Sequence, residues 1–344
     1  MGELRSPRTR FLSSLGRALL SGCLVLGPVA VVGGAELGSN PRADAGLCQG
    51  GTCSVQAERI VFDGSPYGRA GLPVEVRYPG SPDGAVADGA FPLIVFGHGY
   101  QQSFADYAYI WEALVPHGYI LALPDRLSAS PVIGIDAYAR DLLFVAAAMR
   151  ALAGVPASRY FGRIADETAL VGHSTGGAAA LVAASHSDGV TTVVALAPLG
   201  NLLLTPVVGT SPTVAARDVC APVLILDAGE DCVTPAWAHS GAIYSNLPSP
   251  SYRVTVLQGD HCGFSDARGP GQGICAAAER AACTAGLPLL GPRGPALGPE
   301  LQNALTVAYL LPWLAFHLYG DAAAWGHFVR WLDADPHTTY EGRR

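Results

Sequence analysis

A serine is a weak nucleophile at neutral pH unless a neighbouring base takes its proton and fixed donors hold the charge that develops on the substrate. The segment Gly172-His173-Ser174-Thr175-Gly176-Gly177 could supply such a nucleophile. It sets Ser174 in a G-x-S-x-G turn between an apolar run and an Ala-rich stretch, the strand–turn–helix context that gives this motif mechanical meaning. The turn is so tight that the residues flanking the serine must be small. It also presents the hydroxyl at a helix N-terminus, where free amides face negative charge. The plainer reading, an ordinary turn serine, leaves the matching flanks unexplained.

The base and its orienting acid are sought after later strands. Pro222-Val-Leu-Ile-Leu-Asp227 reads as a strand, and Ala228-Gly-Glu-Asp-Cys-Val-Thr-Pro235 leaves its C-terminal end. Asp227, Glu230 and Asp231 compete there, and any of them could cap the next helix. Asp231 is preferred because the loop must turn before it can offer a carboxylate to a histidine. His261, in Leu257-Gln-Gly-Asp-His261-Cys-Gly-Phe264, follows the last predicted strand and can reach back to both Ser174 and Asp231. His239 falls in a predicted helix, His98 and His173 are read as supports, and Asp260 as a turn residue. Gly97-His98-Gly99-Tyr100 follows another strand, where backbone amides can form an oxyanion hole with the residue after the nucleophile. Tyr100 and Thr175 are the nominated donors.

These groups need a scaffold that brings strand ends together. The continuous apolar run Pro92–Phe96 predicts a strand buried on both faces, and Tyr119–Leu123, Ala169–Gly172, Thr192–Leu196, Pro222–Leu226 and Arg253–Leu257 also read as strands. Arg69–Tyr78, with alternating Val74, Val76 and Tyr78, predicts an early antiparallel strand. Helices are expected over 104–116, Asp136–Leu152, Gly176–Ser185, Pro235–Ser245, Pro299–Tyr319 and Ala322–Leu332. Strands alternating with helices imply an α/β fold, a mostly parallel central sheet with helices on both faces. The Gly/Pro-rich stretch 263–298 is expected to be an irregular excursion from a domain spanning 58–335, and residues 36–57 a loose N-terminal segment.

Taken in order, F-P-L-I-V-F-G-H-G-Y, V-G-H-S-T-G-G, G-E-D-C-V-T-P and G-D-H-C resemble the dienelactone-hydrolase, cutinase-like and polyester-hydrolase branch of the α/β hydrolases. The resemblance covers roughly residues 70–265. It implies the α/β-hydrolase fold, a nucleophile at Ser174, acid at Asp231, base at His261 and oxyanion amides at Tyr100 and Thr175. It further implies hydrolysis of carboxylic esters through an acyl-serine, on small esters, lipids or aliphatic polyesters. Two positions depart from the polyester hydrolases: Thr175 stands where they usually carry Met, and Leu199 follows Ala197-Pro198 where they carry Trp. Without that aromatic platform, aromatic polyesters are not expected substrates. Acyl transfer on the same triad, or a non-catalytic binding module of this fold, are the alternatives.

Half of the 344 residues are apolar, 14% are charged and the net charge is −7, which suits a large core and gives no footprint for nucleic acid. No cofactor, metal or obligate protein partner is called for, since no Cys-x-x-Cys pair has a matching second pair. Arg5, Arg8, Arg10 and Arg17 precede an apolar run from Ala18 to Val32 and small residues at 33–35, which predicts a signal peptide over 1–35 and a secreted or periplasmic protein. Leu20-Ser-Gly-Cys23 offers the alternative of a lipoprotein anchored through Cys23. Seven cysteines lie beyond this leader, an odd number, so at least one is expected to be unpaired. Nearness in sequence pairs Cys48 with Cys53 and Cys275 with Cys283. Cys232 and Cys262 each follow a proposed triad residue. If the acid and base loops run side by side these two could bridge, a reading supported by similar bridges in some polyester hydrolases.

Overall fold

The computed structural model describes residues 48, 51–63, 71–81, 83–125, 133–200, 207–266, 269–290 and 296–344. The expected leader, the small residues at its end and Cys23 lie outside them.

In chain order the elements are β1 (Ser54–Phe62), β2 (Leu72–Gly80), β3 (Phe91–Gly97), α1 (Ala108–Leu114), β4 (Ile120–Pro124), β5 (Ile133–Gly134) and α2 (Ile135–Ala153). There follow β6 (Ile164–His173), α3 (Thr175–Ala184), β7 (Thr192–Leu196), β8 (Val207–Val208), α4 (Pro212–Ala215), β9 (Val223–Ala228), α5 (Ser240–Asn246) and β10 (Ser251–Val256). The chain closes with α6 (Gln272–Leu290), α7 (Pro299–Tyr319), α8 (Ala322–Ala334) and β11 (Thr338–Arg343).

Nine strands form one sheet in the order β1-β2-β4-β3-β6-β7-β9-β10-β11. From β4 to β10 every neighbouring pair is parallel. The antiparallel pairings are β1–β2 and β2–β4 at one edge and β10–β11 at the other. This is the expected α/β-hydrolase architecture. Strand side chains alternate between faces, so the sheet divides the core in two. Leu93 and Val95 of β3 pack with α2 and α3 residues such as Leu142, Val145 and Leu181. Ile94 and Phe96 face the opposite way, toward Trp111, Leu310, Trp313 and Phe328. The strand order reverses at β3, with β4 on one side and β6 on the other. In open α/β sheets, the crevice at such a reversal, beyond the carboxyl ends of the strands, is where ligands bind. Here the turns after β3 and β6 open into it.

Several elements depart from the sequence reading. The stretch 263–298 holds a 19-residue helix, α6, rather than an irregular excursion. Its glycines and prolines lie outside the helix or in its end turns, as Gly273, Gly286 and Pro288 do, and mask an Ala-rich interior. Strand β1 begins at Ser54, inside the segment expected to be loose, and β11 adds an edge strand after the last predicted helix. Residues 235–239 form turns ahead of α5, so His239 precedes that helix. Among the described residues, no helix is long and apolar enough to cross a membrane.

The disulfides also differ. Cys48–Cys53 forms as expected. The predicted Cys232–Cys262 and Cys275–Cys283 pairs do not; Cys232 joins Cys283 and Cys262 joins Cys275. Among the described residues no cysteine is free, so the unpaired thiol expected from the odd count is also absent. The physical reason is α6: its Cys275, Glu279 and Cys283 are spaced four residues apart and so share one helix face, which lies against both loops at once. The helix thus splints the loop after β9 to the loop after β10, where a direct bridge was expected. Chain entropy then orders the two clips. Closing the 51-residue separation between Cys232 and Cys283 should stabilise by about 4 kcal/mol, against about 3 kcal/mol for the 13-residue separation between Cys262 and Cys275. Urea unfolding of C232S/C283S should therefore show the larger loss of the two double variants. The reverse order would mean that chain entropy does not govern these bridges.

Candidate active site

Ser174 sits between β6 and α3 with φ 55° and ψ −116°, a strained backbone for a residue other than glycine. The strain is imposed by close approach: a Cβ on Gly176 would run into the Gly97 carbonyl, and one on Gly172 into the backbone of Gly176. Small residues at these two positions let β3, β6 and α3 converge beneath the serine. Ser174 makes no side-chain cap to its own helix, which leaves the hydroxyl uncommitted, and Ser174 and Thr175 are buried.

Asp231 and His261 meet as the sequence predicts. Asp231 Oδ2 accepts a hydrogen bond from His261 Nδ1 at 2.8 Å, and both residues are buried. The loop does turn first, through Asp231 N to Ala228 O and Glu230 N to Gly259 O. Thr234, which the sequence reading passed over, completes the cage. Its amide donates to Asp231 Oδ1 at 2.6 Å and its hydroxyl to Oδ2 at 2.7 Å, while that hydroxyl lies 3.0 Å from His261 Nδ1. The rival acids are placed elsewhere. Asp227 is buried in an ion pair with Arg253 (2.6 Å) and accepts from the Ser240 hydroxyl. Glu230 is half-buried, off this carboxylate cage. Asp260 is a turn residue, its carboxylate accepting from Gly263 N at 2.7 Å.

The electrostatics of the pair run in opposite senses. Burial disfavours the charged form of each, but their mutual attraction prevails: Asp231 is held below the ordinary carboxylate value, helped by the Thr234 donors, and His261 above the ordinary histidine value. His173 is driven well below the usual range by burial and is neutral. Burial also pushes His239 down to about 4, and its Nδ1 accepts the Gly200 amide at 3.0 Å. His98 is buried, with Nδ1 2.8 Å from the Gly99 carbonyl. His98, His173 and His239 therefore have structural partners, which leaves His261 as the candidate base. No hydrogen bond of 3.5 Å or less joins Ser174 Oγ to His261. Such bonds are often long in the absence of substrate. The two residues are held together through Ser174's neighbour: the His173 ring lies 4.7 Å from that of His261, and His173 Nε2 donates to the His261 carbonyl at 3.1 Å.

Tyr100, the nominated oxyanion donor, follows β3 in a turn closed by Gln102 N to Gly99 O, and Gln101 takes a left-handed φ of 55°. Thr175, the other donor, is the first residue of α3, where the first-turn amides lack intrahelical acceptors.

Glu279 on α6 has no precedent in the sequence reading. Its Oε1 accepts the Cys232 amide at 2.8 Å, and burial together with the nearby Asp231 charge pushes its carboxyl up to about 7. The four-residue spacing Cys275–Glu279–Cys283 was the signal that could have found it. The ligand atoms of Cys232, Glu279 and Cys283 lie within 4.8 Å of one another. The two sulfurs are bonded to each other, however, so they are not the thiolates that zinc would need.

A base with His261's environment sets a pH limb. His261 must be neutral to accept a serine proton, and the Asp231 carboxylate raises its proton affinity. kcat/KM for an ester should thus fall as pH drops through a midpoint above the unperturbed histidine value of about 6.5. A folded protein with a midpoint below about 5.5 would contradict this pairing.

Comparison with known proteins returns two cutinases from Thermobifida alba. The chain is 26% identical to cutinase est1 over 215 residues, covering 62% of this chain and 64% of the relative. It is 25% identical to cutinase est2 over 217 residues, covering 63% and 64%. The chain thus spans slightly less than two thirds of the length of each relative. No protein-family model matches it. Together with the fold, these likenesses support a cutinase-like α/β-hydrolase relationship.

Proposed function

We propose that the chain is a serine hydrolase that cleaves carboxylic esters through an acyl-serine intermediate. The observation that carries this reading is the buried Asp231–His261 hydrogen bond, set beside a strained serine at a helix N-terminus. His261 takes the proton of Ser174 as the hydroxyl attacks the ester carbonyl. Asp231 fixes the imidazole with Nδ1 protonated, so that Nε2 is the basic nitrogen, and stabilises the imidazolium that forms. The amides of Tyr100 and Thr175 hold the oxyanion. His261 then gives the proton to the leaving alkoxide, and water, activated by the same imidazole, releases the acid.

The substrate is an apolar ester, a lipid or aliphatic polyester in preference to a small polar ester. Trp237, Val208 and Val214 are exposed on segments that meet at Gly200, whose amide donates to His239 and whose carbonyl accepts from Thr213. Trp237 lies two residues beyond Pro235, which ends the Asp231 loop, and exposed apolar side chains there support an apolar substrate. The relatives' name, cutinase, points the same way. Three disulfides among the described residues favour an oxidising, extracellular setting, with export through the signal peptide expected at 1–35.

The test is hydrolysis of p-nitrophenyl esters of increasing acyl length, alongside particles of an aliphatic and an aromatic polyester. Turnover of butyrate or longer esters and release from the aliphatic particles alone are expected. Ester products that outgrow free acid when an alcohol is added would favour acyl transfer. Absence of any turnover would favour a binding module.

A further inference from the structure

We propose that Tyr107 is a positioning residue for the oxyanion hole, fixing the peptide that carries the Tyr100 amide and tying it through His173 to the backbone of His261. The inference rests on the ester-hydrolase reading and assigns a role to a residue one turn beyond the hole itself.

Tyr107 is fully buried at the end of a short 3₁₀ turn, Phe104–Tyr107, that leads into α1. Its ring packs on Phe96 of β3, with centroids 4.6 Å apart. Its hydroxyl lies within hydrogen-bond distance of three groups, two from the turn after β3 and one from the end of β6. The Gly99 amide donates to Oη at 2.8 Å, and His173 Nδ1 lies 2.8 Å away. The Tyr107 hydroxyl donates to Gln102 Oε1 at 2.6 Å, and Gln102 Nε2 in turn donates to the hydroxyl of Ser265 in the base loop at 2.7 Å.

The proton arrangement follows from chemistry. A backbone carbonyl can only accept, so the His173–His261 contact requires a proton on His173 Nε2. Burial keeps that imidazole neutral, so Nδ1 carries a lone pair, and the one Tyr107 hydroxyl proton is shared between two acceptors, Gln102 Oε1 and His173 Nδ1. Tyr107 Oη itself accepts from Gly99 N–H. One hydroxyl thereby links the turn after β3, the residue before the nucleophile and the loop that bears the base.

The turn needs such an anchor. Gln101 holds a left-handed φ without being glycine, so the Gly99–Gln102 turn is under strain. Tyr100 N–H belongs to the peptide formed with Gly99, and the bond from Gly99 N to Tyr107 fixes the other side of that same residue. Losing the hydroxyl frees the turn to relax and swings the Tyr100 amide off the position the oxyanion occupies. That donor acts mainly in the transition state, so the loss should fall on kcat and spare KM.

Tyr107→Phe keeps the ring and removes only the hydroxyl. Relative to wild type it should lower kcat for a p-nitrophenyl ester by about 10-fold or more, part of the roughly 10²–10³ lost when an oxyanion donor is removed outright. KM should change less than about twofold, and a trifluoromethyl ketone, which mimics the tetrahedral intermediate, should bind more weakly by a factor similar to the fall in kcat/KM. A folded Y107F with unchanged kcat, or with a rise in KM alone, overturns the proposal. Should Y107F not fold, Gln102→Ala cuts the same network at its Ser265 end, and an unchanged kcat and ketone affinity there overturns it equally. A wild-type chain with no ester turnover overturns the hydrolase reading and this inference together. Active wild type with fully active variants overturns the inference alone.

Discussion

Ser174→Ala should fold like the wild type and lose at least about 10³ in ester turnover, because nucleophile, base and acid work as a unit. The structural cost is small. The Ser174 side chain makes no cap to α3, and alanine is no worse than serine at its left-handed φ. Measurement of kcat and thermal midpoint on the purified variant separates the two effects. Turnover within about tenfold of wild type would remove Ser174 as nucleophile.

Asp231→Asn should cost about 10⁴ in turnover, the scale seen when a triad acid is made neutral in place. The geometry explains why an isosteric change is so damaging. Asp231 Oδ1 accepts the Thr234 amide at 2.6 Å, so the asparagine must keep its carbonyl oxygen there. Its NH₂ then faces His261 Nδ1, where the carboxylate now accepts at 2.8 Å. Nδ1 is forced to accept, the proton moves to Nε2, and the imidazole can no longer take a proton from serine. The raised proton affinity of His261 should also disappear, so any residual activity should have its acid limb at lower pH than the wild type. A loss under about tenfold, with the limb unmoved, would place the supporting acid elsewhere.

The parts of this account that were legible in the sequence share a property: each is dictated locally. A G-x-S-x-G turn demands small residues because Gly97, Gly172 and Gly176 converge at van der Waals contact. The runs at Pro92–Phe96 and Val193–Leu196 are apolar throughout because those strands are covered on both faces. Asp231 was preferred over Asp227 on the need for a turn, and the Arg253 ion pair explains why Asp227 is occupied otherwise.

What was missed depends on distant partners. β11 reads T-T-Y-E-G-R and is exposed along most of its length; only pairing with β10 makes it a strand. The disulfides could not be inferred from nearness to the triad, because their partners lie on a helix whose ends are rich in glycine and proline. Cys232 and Cys262 do flank the acid and the base, but α6 stands between the two loops and takes one cysteine from each. Thr234 was overlooked because a threonine in a loop carries no signal until its neighbours are placed. Tyr107 is similar: its role arises from three groups spread over residues 99–173.

The central claim is that Ser174 is activated by His261 within this fold, and covalent trapping tests it most directly. The wild-type protein incubated with a fluorophosphonate probe should gain one adduct, and tandem mass spectrometry of the digest should place it on Ser174. Labelling should be lost in Ser174→Ala and slowed severely in His261→Ala. An adduct on another residue, or equal labelling of the His261→Ala protein, would contradict the account.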